Sequence, residues 1–179
     1  MRFVKTIPLL LSLSSAFYSV GAAALPTDRD QPIRIQADSA ELDDKQGVAV
    51  YRGAVVITQG TLKITGDTVT ITQTPQGDID VFTAVGKPAY YEQQPSADKQ
   101  IVKAYGITIQ YYASNERIVL IDQAKVIQEG NTFEGEKIVY DTKRQIVNAG
   151  RANGNSVSSP RPRIDMVILP KNKPTQTTP

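Results

Sequence analysis

The sequence predicts an all-β chain built as an antiparallel sandwich, barrel or roll, on three observations. Across Val55–Ile71, apolar side chains recur at alternate positions: Val55 and Ile57, Leu62 and Ile64, Val69 and Ile71. The residues between them are mostly Thr, with Lys63 and Asp67, the pattern of strands with one dry and one wet face. Turn signals then separate similar runs at short, regular spacing along the chain. No stretch of useful length carries helical periodicity.

In chain order, Ile33 and Ile35 open the first strand on one face, after a short polar lead-in with Pro26 and Pro32. Asp38 to Leu42 fits either a paired strand or a brief helical turn. Asp43 to Gly47 is turn chemistry. Val48 to Tyr51 reads as a strand, with Gly53 marking a bulge or bend. Val55–Ile71 then reads as three short strands in a meander, with Gly60 and Gly66 at turns or kinks. After a turn at Thr74 to Asp78, Ile79 to Val85 and Gly86 to Tyr91 are two further strands. Tyr90 and Tyr91 are adjacent, so only one faces inward, and alternation from Ala89 selects Tyr91. A polar loop runs from Gln93 to Gln100. Strands resume at Ile101 to Tyr112, where Ile107, Ile109 and Tyr111 alternate with Thr108 and Gln110. Ile118–Ile121, Lys125–Ile127, Ile138–Tyr140 and Ile146–Ala149 continue the series, with Phe133 after the Glu129–Asn131 turn. Asn153 to Pro162 is a loop, and Ile164, Met166 and Ile168 belong to a last strand.

A weak internal repeat runs through this series. Ala54-Val-Val-Ile-Thr-Gln-Gly60 matches Ala124-Lys-Val-Ile-Gln-Glu-Gly130 at an offset of 70, and Gly66–Ile71 matches Gly135–Tyr140 at an offset of 69.

The ends read differently. Arg2 and Lys5, an apolar stretch from Val4 to Leu13 and the small residues Ala22-Ala23-Ala24 predict a secretory signal peptide over residues 1–24, cleaved after Ala24. The apolar stretch is too short and too interrupted for a membrane anchor. This leaves a β domain over 25–170 and a polar Lys/Thr/Pro tail over 171–179. Of 20 basic and 18 acidic residues, removal of Arg2 and Lys5 leaves 18 of each. A neutral mature chain has no basic face to neutralise phosphates, so nucleic acid is not an expected partner.

The chain contains no His, Cys or Trp. The common general base, the thiol nucleophile and the usual zinc ligands are therefore missing, and no phosphate-binding glycine loop or nucleophile elbow is present. Adjacent Asp43 and Asp44 are better explained by a turn than by a carboxylate pair. Neither an enzyme nor a cofactor is expected.

Taken together, Gln31-Pro-Ile-Arg-Ile-Gln, Gly53–Gly60, Leu62-Lys-Ile-Thr-Gly-Asp67 and Gly86-Lys-Pro-Ala89 resemble the OstA-like family of periplasmic lipopolysaccharide-transport proteins. The resemblance covers about Gln31 to Pro170. It implies an elongated antiparallel β-roll, V-shaped and jelly-roll-like, with an open apolar interior. It also implies a job: carrying lipopolysaccharide across the periplasm, lipid A acyl chains inside, with copies stacked head to tail between inner-membrane LptC-like and outer-membrane LptD-like partners. The physics fits such a role, since exposing about ten methylenes to water costs ~8 kcal/mol. On the resemblance, Ile33, Ile35 and Tyr91 match interior positions. Alternation alone adds Val55, Ile57, Leu62, Ile64, Val69, Ile71, Ile107, Ile109, Leu120, Val126, Phe133, Ile138 and Tyr140 as lipid-facing residues. Ile33, Arg34, Ile35 and Gln36 at one end, and Ile164, Met166 and Ile168 at the other, are the edges expected to pair with neighbouring copies. A carrier predicts that Ile35→Asp or Tyr91→Asp abolishes lipid binding while the fold survives. The alternative is a scaffold that assembles envelope proteins through its edge strands and touches no lipid.

Overall fold

The computed structural model describes residues 28–150 and 163–169. The expected signal peptide, the 153–162 loop and the 171–179 tail lie outside them. A 3₁₀ turn at Asp28–Asp30 is followed by ten strands: β1 Arg34–Gln36, β2 Ser39–Asp43, β3 Val48–Gln59, β4 Leu62–Gln73, β5 Ile79–Gln93, β6 Val102–Tyr112, β7 Arg117–Gln128, β8 Asn131–Asp141, β9 Ile146–Gly150 and β10 Asp165–Val167. All pair antiparallel in one sheet of order β1-β3-β4-β5-β6-β7-β8-β10; β2 also pairs with β3, and β9 with β8. The undecided Asp38–Leu42 stretch is thus largely β2.

The strands are longer and fewer than the sequence predicts. Val48–Tyr51 and the run from Val55 belong to one strand, β3; Leu62–Ile64 and Val69–Ile71 belong to β4; Ile79–Val85 and Gly86–Tyr91 belong to β5. Gly60 does turn the chain between β3 and β4, and Gly53 does mark a bulge, whereas Gly66 and Gly86 mark irregularities inside strands rather than strand ends. Register shifts fall between Arg52 and Val55, Thr65 and Thr68, Val85 and Ala89, Tyr105 and Thr108, and Ile121 and Ala124. These are neighbouring positions on neighbouring strands, so the bulges line up as a crease across the sheet. At Gly66 on this line, an added Cβ would come 2.8 Å from the Val85 carbonyl oxygen, closer than a side chain tolerates.

The crease divides the sheet in two. Half I contains β2, β9 and the adjoining parts of β3–β8, such as Val48–Arg52 and Thr108–Tyr112. Half II contains β1, β10 and the remainder, such as Val55–Gln59 and Val102–Tyr105. Tyr91 in half II stands opposite Ala104, seven residues before Tyr111 of half I. In a flat sheet the two tyrosines would lie about 23 Å apart, at ~3.3 Å per residue. Their ring centroids are 5.7 Å apart. The sheet therefore folds along the crease and brings the inner faces of its halves together.

The internal repeat is real, but its offset is 69 throughout. Residues 48–59 of β3 correspond to 117–128 of β7, and each strand carries a two-residue left-handed bulge at the equivalent place: Gly53 and Ala54 (φ 86° and 42°), Asp122 and Gln123 (φ 61° and 53°). At an offset of 70, buried Val55 would correspond to Lys125, which faces solvent. A slip of one residue inverts every side chain of a strand.

Candidate apolar groove

Because strand pairing is in register, inward side chains line up from strand to strand as rungs. In half II, one rung reads Ile35, Ile57, Ile64, Tyr91, Ala104, Val126, Phe133, Met166. It touches every strand of that half from edge to edge, and every member is apolar or aromatic. Half I has two such rungs: Ala40, Tyr51, Val69, Ala84, Ile109, Leu120, Ile138, Ala149, and Leu42, Ala49, Ile71, Phe82, Tyr111, Ile118, Tyr140, Val147. The outer face is wet by contrast. Its rung Thr65, Tyr90, Tyr105, Lys125, Glu134, Asp165 carries a 2.8 Å Lys125–Glu134 ion pair.

Of the residues read as lipid-facing, Val55, Ile57, Leu62, Ile64, Val69, Ile71, Tyr91, Ile109, Leu120, Val126, Ile138 and Tyr140 form one buried cluster, with Ile33, Ile35 and Phe133 packed partly buried against it. Ile107 does not join them. It sits in the β6 irregularity, where parity changes: Val102 and Ala104 are buried before it, Ile109 and Tyr111 after it. The cluster also holds Phe82, Ala84, Ala89, Val102, Ala104, Tyr111, Ile118 and Ala124. Alternation marks Tyr111 beside Ile109, but nothing in an alanine announces which face it takes.

The middle of the groove is closed rather than open. Tyr91, Ile57, Leu120 and Tyr140 are 0% exposed, because side chains from the two halves meet there. Apolar lining left in water would cost roughly 25 cal/mol per Å². Space remains at the flanks. A cleft of about 230 Å³ lies between β1 and half I, lined by Ile33, Ile35, Leu42, Val48, Ala49, Tyr51 and Ile71 among others. A second, of about 530 Å³, is lined by Asp28, Arg29, Thr61, Gln93, Gln94, Tyr111 and Glu116.

Three tyrosines carry the polar chemistry of the interior. Burial pushes the Tyr91 hydroxyl well above its ordinary pKa and those of Tyr111 and Tyr140 up to about 12. Tyr91 donates a hydrogen bond to the Gln93 side-chain oxygen. The buried Tyr140 hydroxyl has no hydrogen-bond partner among the described residues. Among the described residues, no group of acids is placed to hold a metal.

The expected edges are both present but shorter than predicted. Ile33 precedes β1, and Ile164 and Ile168 flank the three-residue β10. Arg34 and Gln36 are exposed, as are Ile164, Met166 and Ile168.

A folded antiparallel sheet whose inner face is apolar from first strand to last defines a groove-forming β-roll, and the comparisons agree. Residues 34–146 match the family described as LptA/(LptD N-terminal domain) LPS transport protein, and the chain belongs to that family. It is 72% identical over 173 residues to the lipopolysaccharide export system protein LptH of Pseudomonas aeruginosa, covering 97% of this chain and 99% of that one. It is 33% identical to the lipopolysaccharide export system protein LptA of Escherichia coli K12, over 86% and 83% of the two chains. The crystal structure of Pseudomonas aeruginosa LptH, described as the LptA-homologous periplasmic component of a conserved lipopolysaccharide transport device, superposes with a TM-score of 0.74 at 73% identity. That match covers 81% of this chain and all of the crystallised one.

Proposed function

We propose that this protein is a periplasmic lipopolysaccharide carrier that holds acyl chains between its two half-sheets and exports them without catalysis. The observation that carries this reading is the edge-to-edge continuity of the inward rungs. An acyl chain lying along the half II rung from Ile35 to Met166 meets no charged side chain at any step. Near-equivalent apolar positions along such a track let the chain slide, while the sugars stay in water. The names of the relatives support the substrate, and the family match supports the setting.

The same reading extends to assembly. β10 is exposed along its whole length, and β1 ends the sheet on the opposite side. Copies stack head to tail through these edges and meet inner-membrane LptC-like and outer-membrane LptD-like partners at the two ends of the stack, so that the rungs of successive copies run on. With the closed centre, acyl chains enter by parting the halves, starting from the flank beside Ile33 and Ile35.

Photocrosslinking in cells tests this. A photoreactive phenylalanine at Ile35 or Phe133 is expected to capture lipopolysaccharide, and the same group at outward-facing Lys63 is not. Well-expressed protein that yields no lipid adduct from either inner position refutes the carrier reading. Protein–protein adducts alone would instead favour the scaffold.

A further inference from the structure

The Asp28–Asp30 turn does not belong to the sheet, yet it is tied to both of its halves. On the half II rim, the Asp28 carboxylate accepts hydrogen bonds of 2.7 Å from the Thr61 amide, the Thr61 hydroxyl and the Gln93 side-chain nitrogen. Gln59 also donates to the carbonyls of Arg29 and Gln31. On the half I rim, the Arg29 guanidinium donates to the Ala113 carbonyl and pairs with Glu116 at 3.3 Å. The seat is shaped for this: Gly60 has a left-handed φ of 59°, and the Asp28 carboxylate occupies the place where a side chain at Gly60 would stand. Directly below lies the 530 Å³ cleft, whose wall includes Tyr111, the partner of Tyr91 across the interior.

We infer that this turn is a strap fastened across the mouth of the groove, released on the Arg29 side when acyl chains pass between the halves. The inference rests on the carrier reading and follows from dimensions. An acyl chain between Tyr91 and Tyr111 needs two van der Waals contacts of about 3.5–4 Å each, so rings now 5.7 Å apart must part to roughly 7–8 Å. Hydrogen bonds near their ordinary length have no such slack. A rim that moves outward by ~2 Å breaks the turn's bonds to one half. The Arg29 side gives way because its ion pair lies in solvent, with side chains 48% and 33% exposed, whereas Asp28 is held by three bonds.

Because the chain has no cysteine, the strap can be locked specifically. Arg29→Cys with Glu116→Cys, joined by a short bis-maleimide, is compared with the same double variant capped by N-ethylmaleimide. The joined form is expected to take up fluorescently labelled lipopolysaccharide at least tenfold more slowly. Arg29→Ala is expected to load several-fold faster than the unaltered protein. Equal loading rates for the joined and capped forms overturn the strap. A lipid-independent readout separates the two readings: Arg29→Ala, with an unchanged β circular dichroism spectrum, is expected to bind several-fold more anilinonaphthalene sulfonate. Unchanged dye binding refutes the strap whatever the lipid does. Raised dye binding in a protein that takes up no lipopolysaccharide supports the strap and refutes only the carrier.

Discussion

Ile35 and Met166 stand at opposite ends of the same inward rung, each in a three-residue edge strand paired antiparallel to a long neighbour. Ile35 is half-buried against the core, whereas Met166 is 49% exposed. Strand pairing is alike at the two ends, so pairing does not decide burial. What decides it is what stands opposite. β1 faces Leu42, Ala49 and Tyr51 of half I across a narrow cleft, and the adjoining turn holds that end of the groove shut. β10 is bare on both faces. One end of the groove is finished by the chain itself, and the other leaves its apolar side chains exposed.

The severest break in this contrast is at the centre of the rung. Tyr91→Asp places a carboxylate where exposure is 0%, and is expected to cost about 4 kcal/mol or more, abolishing the cooperative thermal transition. This replaces the expectation that the fold survives that substitution; at half-buried Ile35 the corresponding change is still expected to leave a folded protein. Next comes a matched pair. Ile35→Ala, half-buried against the core, is expected to lose about 1–2 kcal/mol in denaturant unfolding. Met166→Ala is expected to stay within about 0.5 kcal/mol. Equal costs would erase the difference between the two ends.

A smaller effect follows from pH. Burial raises the folded-state pKa of Tyr111 and Tyr140 from 10 to about 12, so the folded protein retains protons that the unfolded chain has released. Stability is therefore complete below pH 10 and falls progressively as pH rises towards 12. Unfolding measured from pH 8 to 12 checks this, and Tyr111→Phe is expected to flatten the decline. The smallest effect separates the tyrosines from each other. Tyr140→Phe removes a buried hydroxyl without a partner and is expected to be neutral or to stabilise by about 1 kcal/mol. Tyr91→Phe strands the Gln93 oxygen and is expected to destabilise by a similar amount.

Alternation makes most of the groove legible in the sequence. Val55, Ile57, Leu62 and Ile64 are inward because each strand alternates in a constant phase between irregularities. The reading failed where phase changes. Ile107 lies on a bulge that local sequence does not reveal, and the 70-residue offset came from matching Ala54 to Ala124, one step out of phase. Ala89, Ala104 and Ala124 line the interior without a hydrophobic signature. The Asp28–Arg29 turn was invisible for another reason: its partners Thr61, Gln93, Ala113 and Glu116 are 33 to 87 positions away, and no periodicity reports a contact of that range.

The 69-residue correspondence between the β3–β4 and β7–β8 hairpins makes the trough modular. One repeat advances the roll by four strands, or about 19 Å at ~4.8 Å per strand. Inserting a further copy would lengthen the conduit by that increment and leave its bore unchanged, so the number of repeats sets its reach.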